Sequence, residues 1–153
     1  MLSNEYIAGL FDGEGCVHIA RTKRGYGIYY YIHVSIANSD KNVLELVQQQ
    51  FGGRISANIA QTNWPVWKWE AQVDQALPFL QTITPLTIIK RDQMELALEF
   101  AVQCHDNKYH WPINPMPEVV RISREQSYIQ LKQLKRKYSG EYVQNNIGRS
   151  KIL

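Results

Sequence analysis

Apolar residues change their spacing several times along the chain, and each change marks an element. Ile7, Leu10 and Phe11 recur at helical spacing behind Ser3, which is suited to cap a helix running to about Asp12, although Tyr6 stands where a full capping box would place Glu or Gln. From Cys16 the period becomes two. Val17 and Ile19 alternate with Cys16, His18 and Ala20, and after the turn Gly25-Tyr26-Gly27 the apolar set continues as Ile28, Tyr30, Ile32, Val34 and Ile36, which predicts a long hairpin with one buried face. Ser39 or Asp40 opens a second helix carrying Val43, Leu44, Val47 and Phe51 on one side, and Gly52-Gly53 ends it. A second hairpin follows: residues 54–60 bury Ile55, Ala57 and Ile59, residues 61–65 turn, and residues 66–73 return with Trp67, Trp69, Ala71 and Val73 inward.

Asp74 is the predicted cap of a short helix reaching about Thr84, Pro85 breaks it, and a stronger helix spans 91–104 with Met94, Leu96, Ala97, Leu98, Phe100 and Ala101. Three prolines make 105–117 irregular, and a last helix over 118–138 carries Val119, Val120, Ile122, Ile129, Leu131 and Leu134. The pattern predicts one α+β domain over 1–138 in which a helix-hairpin unit occurs twice, with a polar tail over 139–153 expected to be flexible.

The chain's 153 residues, 44% hydrophobic and 20% charged, fit one globular domain with a real core rather than a disordered chain. No apolar run approaches the roughly 20 residues that cross a bilayer, and no basic-then-apolar leader opens the sequence, so no membrane partner is expected and the protein is expected inside a cell, in a prokaryotic cytoplasm or an organelle. Cys16 and Cys104 read as free thiols. The net charge of +3 is compatible with nucleic acid, so the placement of the charges matters more than their sum.

That placement is informative. Two hairpins on one sheet with helices on one side leave the other side to His18, Ala20, Thr22, Arg24, Tyr29, Tyr31, His33, Ser35, Arg54, Ser56, Asn58, Lys68, Glu70 and Gln72. Strands fit a major groove, and Arg, Asn, Gln and Glu can each read base edges. Arg21, Lys23 and Arg24 crowd the hairpin tip beside glycines, which suits phosphate contacts. At the other end, the first helix runs into the glycine-flanked acidic pair Asp12-Gly13-Glu14-Gly15, which leaves Glu14 at the helix exit as a candidate metal ligand. Ala8 and Gly9 are slim enough for two such helices to meet. Divalent cations held by carboxylates can supply what phosphodiester hydrolysis needs.

The run Ile7-Ala8-Gly9-Leu10-Phe11-Asp12-Gly13-Glu14-Gly15 resembles the signature of the LAGLIDADG homing endonucleases. The resemblance implies an αββαββα fold with a saddle-like four-stranded antiparallel sheet, and, for a single motif copy, a homodimer with Ile7, Ala8, Gly9, Phe11 and Asp12 at the interface. It implies Glu14 as the catalytic metal ligand, helped by the Gly13 carbonyl, with Mg²⁺ expected and Mn²⁺ or Ca²⁺ as alternative occupants. By position it implies Lys90 as the basic residue near the metals, with Arg91 as its substitute, and Asn38, where Gln is common, as the amide that orders water; Lys41 could add charge nearby. Asp12 would cap the partner's motif helix.

The leading functional expectation is a site-specific double-strand DNA endonuclease, intron-encoded, cutting a long pseudo-palindromic target across the minor groove to leave 3′ overhangs. The alternatives are a maturase that binds intron RNA and a non-cleaving DNA-binding regulator; the retained Glu14 argues against the latter. Cys104, His105 and His110 lack the paired spacing of a zinc site and read as packing or surface residues. Arg149 and Lys151 in the tail are either backbone contacts or simply solvated.

Overall fold

Ser3 begins the first helix as expected: its hydroxyl oxygen accepts the Tyr6 N–H at 3.2 Å, satisfying one of the donors that a helix start leaves unpaired. The computed structural model describes residues 1–25, 27–58, 66–109 and 113–138, with the side chains of Asn58, Lys137 and Tyr138 excepted. Over these the order is α1 (Asn4–Glu14), β1 (Gly15–Arg24), β2 (Gly27–Asn38), α2 (Lys41–Phe51), β3 (Arg54–Asn58), β4 (Val66–Gln72), α3 (Ala76–Ile83), α4 (Arg91–Asp106) and α5 (Glu118–Tyr138). The turn expected over 61–65, Ile59 and the tail lie outside the described residues.

Helix α1 runs to Glu14, two residues beyond the expected end at Asp12, and passes directly into β1. Gly15 makes this junction possible by its size: a Cβ there would sit 2.3 Å from Cδ2 of Phe11. Its N–H still bonds the Phe11 carbonyl.

The four strands form one antiparallel sheet in the order β1-β2-β4-β3. Period-two alternation then sorts the side chains. Val17, Ile19, Tyr30, Ile32, Val34, Ile36, Trp69 and Ala71 are buried on the helix-covered side. Phe79 of α3 is the hub of that core, its ring centroid 5.4 Å from Phe11 of α1, 5.2 Å from Phe51 of α2 and 5.0 Å from Trp69 of β4. Each pair of this kind contributes about 0.5–1.5 kcal/mol beyond simple burial. Ile7 and Phe11 are fully buried in the same core, so α1 is anchored by hydrophobic burial of about 1.5–3 kcal/mol per side chain.

Several expectations are corrected. Val73 does not point inward at the end of β4; it is 47% exposed, with φ of 51° at the start of a 3₁₀ turn, Val73–Gln75. Asp74 caps no helix, because its carboxylate is drawn to His105 at 3.1 Å and Lys108 at 2.9 Å. On α5, among the described residues, Leu131 is the buried apolar side chain and Arg124 is buried with it, while Val119, Ile122 and Ile129 face outward. The helix is oriented by polar contacts to the sheet: Glu125 accepts from Arg21 Nε at 3.0 Å and from the Tyr30 hydroxyl. Among the described residues no helix is long and apolar enough to cross a membrane.

Candidate active site and nucleic-acid interface

The carboxylate end of α1 is built by three elements. Glu14 is the last helical residue and is exposed, and Gly13 beside it is exposed with open space where a side chain would be. Lys90, just before α4, lays its ammonium on this helix end, donating to the Phe11 carbonyl at 2.9 Å and the Asp12 carbonyl at 2.7 Å. A cation on the last carbonyls of a helix is favourable because they carry the negative end of the helix dipole. Two of the three ammonium hydrogens are thus committed, leaving one for a substrate. Burial lowers the Lys90 pKa, opposed by Asp12, then by Cys16 and Glu14.

Asp12 locks the arrangement from the other direction. One carboxylate oxygen accepts the N–H groups of Ile88 at 2.7 Å and Ile89 at 3.2 Å, and the other accepts that of Lys90 at 3.0 Å. The turn that delivers Lys90 is therefore pinned to the helix that delivers Glu14. This corrects the expectation that Asp12 caps a partner's helix: its oxygens are used within its own chain. The interface expected at Ile7, Ala8 and Phe11 is corrected too, since all three lie in the protomer's own core. Of that set only Gly9 is on the surface, in a stripe with Tyr6 and Gly13.

Three further placements differ from expectation. Asn38 follows the parity of Ile36, toward the helices, and its Oδ1 accepts the Asp40 N–H at 2.8 Å, so it shapes the turn into α2 and is not positioned to order water. Arg91 turns away, donating to the carbonyls of Thr87 at 3.0 Å and Pro85 at 2.9 Å. Lys41 is held by Glu45 at 2.8 Å and lies over the Trp67 ring.

The open face of the sheet agrees with the expected set, with limits. Register pairs Cys16 with Ser35, His18 with His33, Ala20 with Tyr31 and Thr22 with Tyr29 across β1 and β2, and Glu70 with both Ser35 and Arg54. Arg24, Lys68, Gln72 and Ser56 share this parity. Lys23 does not: the strands extend farther into the turn than expected, which gives it the parity of Val17 and Ile19 on the other side. The side chain of Asn58 lies outside the described residues. His33, Ser35 and Glu70, expected as readers, are buried beneath their neighbours.

At the centre, the Glu70 carboxylate meets His33 Nε2 at 3.1 Å, Lys68 Nζ at 3.2 Å and the Arg54 guanidinium. The Arg54 contact, with Lys68 and His33, holds the Glu70 carboxyl down at about 2 in spite of its burial. Burial lowers the His33 pKa, and His18, its ring 4.5 Å away, adds to the effect against the pull of Glu70. Because the folded-state pKa of Glu70 lies below its ordinary value of 4.5, its stabilisation is complete above that pH and is lost as pH falls toward 2. Thermal melts of wild type and Glu70→Gln from pH 5 to pH 2.5 are expected to show a shallower acid loss in the variant. Equal slopes would exclude this network as a source of acid lability.

One contact had no signal in the sequence. Lys135 of α5 reaches the start of β1 and places Nζ 3.1 Å from Sγ of Cys16, two residues past Glu14. A hydrogen bond with His18 and the Lys135 contact bring the Cys16 thiol down to about 7 against its burial. The other thiol, Cys104, is pushed up by burial. No group of three His, Cys, Asp or Glu capable of holding a metal occurs among the described residues, and His110 of the disfavoured zinc set lies outside them.

Comparison with known proteins fits this geometry. The profile of the LAGLIDADG endonuclease family matches residues 7–100, more than half of the chain, and the chain belongs to that family. A probable intron-encoded endonuclease aI2 of Debaryomyces hansenii is 36% identical over 50 residues, covering 33% of this chain and 7% of that protein, so the chain spans only a small part of that relative's length. The homing endonuclease I-CvuI, solved with its target in the presence of 2 mM Ca, superposes with a TM-score of 0.68 at 16% identity over 86% of this chain and 80% of its own. An archaeal intron-encoded homing endonuclease, I-Vdi141I, complexed with DNA, superposes with a TM-score of 0.66 at 19% identity over 89% of this chain and 84% of its own. At these identities the two structures establish the fold: a four-stranded antiparallel sheet with helices, in the homing endonuclease architecture.

Proposed function

We propose that two copies of the chain join along the exposed face of α1, straddle a DNA duplex with their open sheet faces, and hydrolyse both strands at a site flanked by the two Glu14 carboxylates. The observation that carries this reading is Glu14, exposed at the end of a helix whose last carbonyls already hold the Lys90 ammonium, beside a sheet face rich in hydrogen-bonding side chains. The face offered to the second copy is Tyr6, Gly9 and Gly13, with Leu86, Ile88 and Ile89 near it. Ile88 and Ile89 are 82% and 59% exposed although the Asp12 contacts pin their backbone beside α1, and burial against a symmetry mate accounts for such exposed apolar residues.

The donor set fits a hard divalent cation: an exposed carboxylate, with the Gly13 carbonyl outside the grip of Lys90. One chain offers too few oxygens, so a second Glu14 and the substrate phosphate complete the set. Bound Mg²⁺ would neutralise phosphate charge and activate water. Lys90, with one N–H uncommitted, donates to a phosphate oxygen or to water. The reading extends to 3′ overhangs at a long pseudo-palindromic site, to an intron-borne origin and to action inside a cell or organelle.

The test is selection from a randomised duplex library, followed by cleavage assays of the selected duplex with Mg²⁺ and with EDTA, and sedimentation of the free protein and the complex. Cleavage that requires the metal, by a dimer, is expected. A monomer on DNA, or cleavage undiminished in EDTA, would overturn the reading, and preference for a structured intron RNA over every duplex would replace it with the maturase alternative.

A further inference from the structure

The centre of the open face holds a buried carboxylate with a partner on each oxygen. Glu70 is buried, and its oxygens are taken by Arg54 on one side and by Lys68 and His33 on the other. Sequence reasoning placed Glu70 among the base readers. A carboxylate reads cytosine by accepting from its amino group, and Glu70, buried and engaged by three side chains, lacks the exposure to do so.

Its partner is disposed in the opposite way. The Arg54 side chain is 74% exposed while that of Glu70 is 10% exposed, so the guanidinium is held at its Nη2 and presented outward. Nη2 keeps one hydrogen and Nη1 keeps two, so both terminal nitrogens retain donors for a second partner. A fork of this kind matches the O6 and N7 acceptors of guanine in the major groove, and no other base pair shows two acceptors on one base there. The backing carboxylate removes rotamer freedom that a free Arg would lose on binding. His33, whose Nδ1 is buried without a partner among the described residues, completes the support from β2.

We infer that Arg54, oriented by Glu70, is a guanine-reading residue, and that Glu70 is a positioning residue that sets base preference at the one position per half-site facing the start of β3. This rests on the open face being the DNA-binding face. A bidentate pair of this type favours the right base by roughly ten- to hundredfold.

The experiment is duplex selection with the full chain in Ca²⁺ from a randomised library, with base frequencies compared for wild type, Arg54→Lys and Glu70→Gln. Wild type is expected to enrich guanine at one symmetric pair of positions. Arg54→Lys, which keeps the charge and loses the planar fork, is expected to weaken that preference severalfold there and nowhere else. Glu70→Gln is expected to weaken it severalfold at the same position, a local change that general loss of structure would not produce. Two results overturn the assignment alone: a guanine profile unchanged in Arg54→Lys, or uniform weakening at all positions, which marks Arg54 as a phosphate contact. Failure of wild type to enrich any duplex removes the DNA-binding reading itself, and this assignment with it.

Discussion

Glu14→Gln is expected to lose more than about a hundredfold of cleavage rate on a selected duplex while binding it with an affinity close to that of wild type. The substitution keeps the size and one carbonyl oxygen of the side chain and removes the charge that would hold a divalent cation. Loss of groups that merely support metal ligands already costs about 10–100-fold, so loss of the carboxylate itself costs more. Glu14 is exposed, and a surface change of this type stays within about 0.5 kcal/mol in stability, so a fall in activity cannot be attributed to unfolding. The check is single-turnover cleavage beside equilibrium binding in Ca²⁺. Residual cleavage within a few-fold of wild type would move the metal site away from the end of α1 and remove the basis of the proposed mechanism.

Asp12→Ala is expected to lower stability by about 2–4 kcal/mol, because three backbone N–H groups lose a charged acceptor at once. In a chain of this size that is a drop in Tm of about 5–15 °C. The same loss frees the turn carrying Lys90, so activity at permissive temperature falls as well. Thermal melts at several protein concentrations distinguish the intrachain role from a role across an interface. A contact within the protomer gives a destabilisation independent of concentration, whereas a contact to a partner gives one that shrinks as dilution separates the two copies. An unchanged Tm would contradict the assignment of Asp12 to the Lys90 turn.

The fold was legible where one element obeys one period. The alternation through Val17, Ile19, Ile32, Val34 and Ile36 needs only the two-residue repeat of a strand, and all five are buried as expected. The glycine pair after Phe51 and the hydroxyl of Ser3 mark their helix ends by local chemistry alone. Legibility failed where a residue's partner comes from another part of the chain. Val73 continues the apolar alternation of β4, yet the chain must turn there to launch α3, and position overrides the pattern. Asn38 carries the right functional groups, but local bonding to the Asp40 N–H claims them.

By itself, the order of residues determined the helix that ends in a carboxylate, the two hairpins that follow such helices, and the polar character of one sheet face, because each depends on spacing within a single segment. Only tertiary structure decided which of those polar groups are available. It buried Ile7, Ala8 and Phe11 in the protomer's own core, turned Asp12 inward to the Lys90 turn, brought Lys135 to Cys16, and sank Glu70 beneath Arg54. The physical reason is that a hydrogen bond or a buried carboxylate is defined by what lies across the fold from it, and periodicity along one segment carries no information about that distance.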